Sequence, residues 1–186
     1  MKGRRTACLR ETARVRLATH ADIPRLSYVI ERSVRELQRD AYSELQIAGA
    51  LETIFGVDTA LIDDETYFVV DVEREIVACG GWSKRETLFG GDRWTQRENN
   101  LLDPAVDAAK IRAFFVHPEW ARRGLGTLLL ENCESAARAA GFRRFELGAT
   151  LTGVHLYRYR GYREVDRIEV LLANGEAVPV VRMVKD

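Results

Sequence analysis

Cysteine, proline and unbroken apolar runs are all scarce in this chain. Its 186 residues hold only three cysteines, Cys8, Cys79 and Cys133, widely spaced and never as C-x-x-C. That excludes zinc ribbons and dithiol redox motifs, and no metal site is expected. Cys79 and Cys133 lie in apolar patterns and are expected to be buried thiols, which suits a reducing cytoplasm. No stretch approaches the roughly 20 apolar residues that span a bilayer. The N-terminus, Met1 to Arg16, is arginine-rich without an apolar core segment, so it does not read as a secretory signal. Residues 1–14 are expected to be a flexible leader, and 15–186 a single domain. A charge of one sign is missing too, since 28 basic side chains offset 28 acidic ones. No global field then argues for nucleic acid or membrane as a partner.

Periodic segments are plentiful. A strand is expected over Val15 to Thr19. Asp22 reads as a helix cap, with Pro24 in the first turn and Leu26, Ile30, Val34 and Leu37 at helical spacing. Ser43 and Gln46 form a capping-box pattern before a second helix striped by Ile47, Ala50, Leu51 and Ile54, with Gly56 as its stop. Tyr67 to Val72 and Ile76 to Trp82 read as a hairpin, with Gly80 and Gly81 weakening or bulging its second strand. Residues 84–108 show no period, and a loop that long inside a domain is either a surface excursion or functional, for instance a substrate lid.

From Lys110 the pattern sharpens. Ile111 to Val116 reads as a buried strand, Gly124 to Ala140 as a helix ended by Gly141, and Phe142 to Gly148 as a second strand. Two parallel strands joined by a helix form a right-handed crossover. A short helix from Val154 to Arg160 and strands at Tyr162 to Leu171 and Val178 to Val184 complete the pattern. The fold class is α/β: one mixed, mostly antiparallel sheet with helices on both faces.

Between that strand and helix stands Ala121-Arg122-Arg123-Gly124-Leu125-Gly126-Thr127. A helix start offers unpaired amides and the positive end of the dipole, and glycines let phosphate oxygens approach them. The alternative is a tight turn with solvated arginines. No G-x-x-x-x-G-K-[ST] string occurs, and Leu129 replaces the third glycine of a dinucleotide fingerprint, so both of those phosphate motifs are excluded.

The run Phe115-Val116-His117-Pro118-Glu119-Trp120-Ala121-Arg122-Arg123-Gly124-Leu125-Gly126-Thr127 closely resembles the cofactor motif of the GNAT acetyltransferases. Leu156-Tyr157-Arg158-Tyr159-Arg160-Gly161-Tyr162 resembles that family's second mark, L-Y-x-x-x-G-[FY]. Ala121 stands where the family usually has Gln or Arg, and Thr150 where many members carry Asn. The resemblance implies a GNAT-like fold with a splayed central parallel strand pair and acetyl-coenzyme A as co-substrate. It implies that the backbone of Phe114, Phe115 and Val116 pairs with the pantetheine arm. Arg122, Arg123, Gly124, Leu125, Gly126 and Thr127 would wrap the pyrophosphate, and Tyr157 would be the general acid.

A base is expected because the amine must be neutral to attack. Glu146 is the first candidate, on the strand flanking the acyl group, and His117 the second; Tyr159 is taken as structural. Arg35, Tyr42 and Trp82 are candidates for a pocket formed by the first two helices and the hairpin. The expected activity is acetyl transfer to a small-molecule amine by direct attack through a tetrahedral intermediate. A protein or peptide N-acetyltransferase and a non-catalytic acyl-coenzyme A-binding module stay open, as does a homodimer.

Overall fold

The computed structural model describes residues 13–186. Cys8 and the expected leader up to residue 12 lie outside the described residues. The chain order is β1 (Arg14–Leu17), α1 (Ile23–Leu37), α2 (Glu44–Thr53), α3 (Thr59–Asp63), β2 (Tyr67–Val72), β3 (Glu75–Ser83) and β4 (Ala108–Val116). Then follow α4 (Leu125–Ala139), β5 (Arg144–Thr150), α5 (Val154–Tyr159), β6 (Arg163–Leu171) and β7 (Ala177–Lys185). The seven strands form one sheet in the order β1-β2-β3-β4-β5-β7-β6. Only β4 and β5 run parallel; every other neighbouring pair is antiparallel. Among the described residues no helix is long and apolar enough to cross a membrane.

Local chemistry explains the helix starts. Ser43 Oγ accepts from the Gln46 amide at 3.1 Å, and Gln46 Oε1 accepts from the Ser43 amide at 3.0 Å. This is the reciprocal cap read from the sequence. Asp22 does stand at the N-cap position of α1, as expected, but its side chain makes no cap hydrogen bond to that helix. A short 3₁₀ turn, His20–Asp22, precedes α1, and Thr19 occupies its capping position. The Asp22 carboxylate instead binds Arg16, which holds its pKa down at about 2, and takes the Thr19 amide.

Alternating side chains of β2 divide the core. Tyr67 and Val69 pack with Leu26, Ile30 and Val34 of α1. Val70 and Val72 face Leu125 and Leu129 of α4. A strand whose successive residues point to opposite faces thus needs a helix on each side, and each large side chain so buried contributes about 2 kcal/mol. Cys79 and Cys133 are fully buried, and burial pushes the Cys79 thiol up to about 12.

Two irregularities shape the middle of the sheet. Between Cys79 and Gly81 the β3–β4 register shifts, so that Ala113 and Phe114 stand opposite Gly80 alone. The bulge therefore falls on β4, not on the glycine-bearing strand as expected. Ala113 takes φ of 58° there. A Cβ on Gly80 would lie 2.7 Å from the Phe114 ring, so the glycine makes room for the bulge next door. The second irregularity is the splay. Pairing of β4 with β5 runs only from Ala108↔Arg144 to Lys110↔Glu146. Beyond Lys110 the strands part, as the resemblance implied.

Other boundaries differ modestly. β4 begins at Ala108 instead of Ile111, and β5 runs to Thr150 instead of Gly148. The helix α3, only five residues long, is too short to leave a periodic signal.

Candidate active site

The gap between the parted strands opens into a cleft of about 540 Å³. One wall is the turn before α4. Arg122 and Gly124 both adopt positive φ, 62° and 85°, which bends the chain so that successive amides converge. No side chain caps α4. Its first hydrogen bond is donated by Leu128 to the Gly124 carbonyl at 3.0 Å. The amides of Leu125, Gly126 and Thr127 precede that bond and lie at the positive end of the dipole. All three residues line the cleft. A Cβ on Gly126 would come within 3.0 Å of Leu156 Cδ2, so this glycine also lets α5 approach. Arg122 lines the cleft; Arg123 does not, and its guanidinium instead lies over the Trp120 ring at 5.0 Å.

The next group is the opened edge of β4. Phe114, Phe115 and Val116 line the cleft, beyond the last rung shared with β5. The Val116 amide donates to Ser33 Oγ at 3.3 Å, so it is not free for a ligand. Phe115 and Phe114 point to opposite faces, one packing with the α1 core and the other with the α4 side.

Across the gap, α5 presents Tyr157. Its ring packs edge-on against Phe114 at 6.2 Å and Tyr162 at 5.8 Å. Its hydroxyl makes no hydrogen bond among the described residues, and the residue lines the cleft. Burial pushes the phenol above its usual value. The group is therefore a neutral donor at pH 7, poised beside the helix start that offers free amides. Tyr159, expected to be structural, also lines the cleft and is mostly exposed.

The structure does not bring Glu146 to the cleft. Its carboxylate binds Lys110 and lies 3.6 Å from Arg182. The physical reason is register: Glu146 sits on the last paired rung, just below the point where β5 diverges. Gly148 and Thr150, on the same face one and two rungs further, do reach the cleft. His117 is buried against Tyr28, with ring centroids 5.8 Å apart, and does not line the cleft either. Nor do Arg35, Tyr42 or Trp82. Arg35 pairs with Glu31. Tyr42 donates to the Pro179 carbonyl and accepts from the Leu151 amide. Trp82 packs against Phe142.

The rest of the lining comes from the first two helices and the aperiodic segment, elements that the sequence pointed to, but from side chains that it did not single out for a pocket. Leu37 and Gln38 at the end of α1, and Ile54 and Phe55 after α2, form one side. Leu88 and Phe89 come from the aperiodic segment and form the other. That segment is a built wall, not a loose excursion. Its two ends pair through Glu86 to Asn100, Thr87 to Glu98 and Leu102 to Lys84. Its tip is tied down by Gly91 to the Ile54 carbonyl and Asp92 to the Val57 carbonyl, both at 2.9 Å. Below it lies Asp58, fully buried, which meets Arg112 at 2.6 Å and Arg97 at 2.7 Å. Arg112 also donates to the carbonyls of Thr87 and Gly90. Desolvation lowers its pKa, partly offset by Asp58. Among the described residues no group of three or more His, Cys, Asp or Glu side chains could hold a metal ion.

Residues 31–162 match the model of the Acetyltransferase (GNAT) family. A search of curated proteins returns no match. Among solved structures, a GCN5-related N-acetyltransferase from Rhodopseudomonas palustris superposes with a TM-score of 0.70 at 22% identity, over 94% of this chain and 96% of that one. The PaiA N-acetyltransferase from Thermoplasma acidophilum, solved in complex with coenzyme A, gives 0.65 at 13% identity over 94% and 98%. A ribosomal-protein-alanine N-acetyltransferase from Brucella melitensis gives 0.60 at 16% identity over 92% and 98%.

Proposed function

The chain belongs to the GNAT acetyltransferase family, and from that premise we propose that it moves an acetyl group from acetyl-coenzyme A to the amine of a small molecule. The observation that carries this reading is the meeting of two features at one cleft: free amides at the start of α4 and the unpaired phenol of Tyr157. Converging amides suit a diphosphate. The opened edge of β4 suits an extended amide-bearing arm laid alongside it as an added strand. Phe114 and Phe115 offer backbone to that arm, with Arg122 adding charge and Arg123 bracing the turn through Trp120.

In the reaction the amine lone pair attacks the thioester carbonyl carbon. The tetrahedral intermediate then collapses, the carbon–sulfur bond breaks, and the sulfur leaves with the electron pair. A free thiol of this kind has a pKa of about 8.5. The Tyr157 phenol lies above its usual value of 10.0, so complete proton transfer from it to the sulfur is uphill. Its role is to donate a hydrogen bond as charge builds on the sulfur. No carboxylate among the described residues lines the cleft, so the proton lost by the amine goes to solvent or to His155, a histidine that does line it.

Transfer to a protein terminus is the second reading. The likeness to the ribosomal-protein-alanine N-acetyltransferase favours it, while the loop-walled cleft favours a compact acceptor. The test is release of free thiol from acetyl-coenzyme A on addition of amines, with the acetylated product identified by mass. Transfer to a small amine is the expected result. Label from acetyl-coenzyme A entering only protein would move the reading to the second, and inertness with every amine and protein would reject both.

A further inference from the structure

We propose that the wall opposite the cofactor turn selects an amine carried on an uncharged apolar or aromatic body, and that Gln38 is its specificity-determining residue. The inference rests on the acetyl-transfer reading above and names the substrate class for it. Three observations carry it.

The first is shape and polarity. Leu37, Ile54, Phe55, Leu88 and Phe89 wall this part of the cleft, and Phe89 is braced by Trp94 at 5.5 Å. Apolar walls favour an apolar guest by about 25 cal/mol per Å² removed from water. The second is charge. Among the described residues no aspartate or glutamate lines the cleft. An acceptor with further ammonium groups would lose their hydration with nothing to replace it. A carboxylate-bearing acceptor fares no better. The cation on this side is Arg112, already 2.6 Å from the fully buried Asp58. A second carboxylate there would meet Asp58 as a like charge.

The third observation is Gln38 itself. The residue is 6% exposed and lines the cleft. Its Oε1 is buried without a hydrogen-bond partner. A buried, unsatisfied carbonyl is costly unless something donates to it. A primary amine has what it lacks. A turn of the Gln38 side chain that brings Oε1 to the cleft surface lets one N–H donate to it, and the nitrogen lone pair stays free for attack on the thioester.

The experiment compares kcat/KM for four amines at saturating acetyl-coenzyme A: 2-phenylethylamine, spermidine, glutamate and a short peptide beginning with alanine. The expected result is a preference for 2-phenylethylamine of about tenfold or more over each of the others. Gln38→Leu is expected to raise its KM about tenfold while leaving kcat and the coenzyme A Kd unchanged, with a Tm equal to or above that of the wild type because a buried unsatisfied carbonyl is removed. Gln38→Glu supplies the missing carboxylate and should shift the ratio towards spermidine by about tenfold. Equal or better use of any competitor by the wild-type protein overturns the inference. So does an unchanged KM in Gln38→Leu. In either case acetyl transfer itself still stands. Absence of coenzyme A binding, or of transfer to any amine, removes the reading beneath it and the inference together.

Discussion

The two walls of the cleft are made in opposite ways. The cofactor-side wall is one unbroken stretch, Trp120 to Thr127, joining a strand to the helix behind it. The opposite wall is assembled from the ends of α1 and α2 and from a loop that has no period of its own. The difference follows from what each wall would recognise. A diphosphate can be held by backbone amides, and a helix start supplies an array of them without help from distant residues. The body of an amine is recognised by side-chain shape, which has to be gathered from several segments. Sequence pattern reports the first kind of site residue by residue, and the second only as the elements that supply it.

Particular residues show where legibility ends. Gly124 and Gly126 could be read because their spacing is local and their chemistry is backbone chemistry. Tyr157 could be read from its motif, not from its residue type. The helices on both sheet faces were likewise legible as a pattern of strands and crossover helix, whereas the splay followed only from the family resemblance and its position at Lys110 only from the structure. Arg112 falls inside the strand expected over Ile111 to Val116, and Asp58 lies in a stretch to which the sequence pattern assigns no element. Only folding puts them 2.6 Å apart beneath the loop. Gln38 carried no signal at all. Glu146 stays out of the cleft because it sits on the last paired rung, and a step of two residues along the diverging strand, to Gly148, is what reaches the cleft. The bulge was placed on the wrong strand because the glycine that permits it and the residues that form it lie on different strands.

The comparison can be broken or sharpened in order of expected effect. Asp58→Ala removes the carboxylate that two buried or half-buried guanidinium groups share, and should cost about 3–5 kcal/mol by chemical denaturation. Arg123→Ala, on the exposed cofactor turn, should cost less than about 1 kcal/mol, the worth of its contact with Trp120. Similar costs for the two would erase the distinction between a built wall and a self-sufficient turn.

Tyr157→Phe should lower kcat by about 10²-fold while the affinities at both walls stay fixed. Steady-state rates and calorimetry together would check it, and an accompanying loss of coenzyme A affinity would reassign the residue to binding.

Smaller and opposite effects are expected from one residue of each wall. Gly126→Val places a branched side chain where a Cβ is already 3.0 Å from Leu156 and where an anion would approach. It should raise the KM for acetyl-coenzyme A about tenfold and leave the amine KM alone. Phe89→Ala should raise the amine KM about fivefold and spare the cofactor. Crossed effects would show that the walls are not independent.

The smallest expected effect is the absence of one. Burial raises the pKa of the Tyr157 phenol, so its protonated, donating form persists as pH rises through 10. The rate should climb as the amine loses its proton, with no fall before about pH 10. A descending limb near pH 8 in kcat/KM would mean that another acid takes part.

The most direct measurement compares the affinity of coenzyme A with that of pantetheine, which keeps the arm and thiol but lacks both the diphosphate and the nucleoside, and with that of 4′-phosphopantetheine, which restores a phosphate alone, by calorimetry on the purified protein. If the α4 amides hold the diphosphate, coenzyme A binds about 10²-fold more tightly than pantetheine, the worth of several hydrogen bonds to a charged group, and the phosphate alone recovers part of that gain. Equal affinities of 4′-phosphopantetheine and pantetheine, or no heat with coenzyme A, would contradict the account.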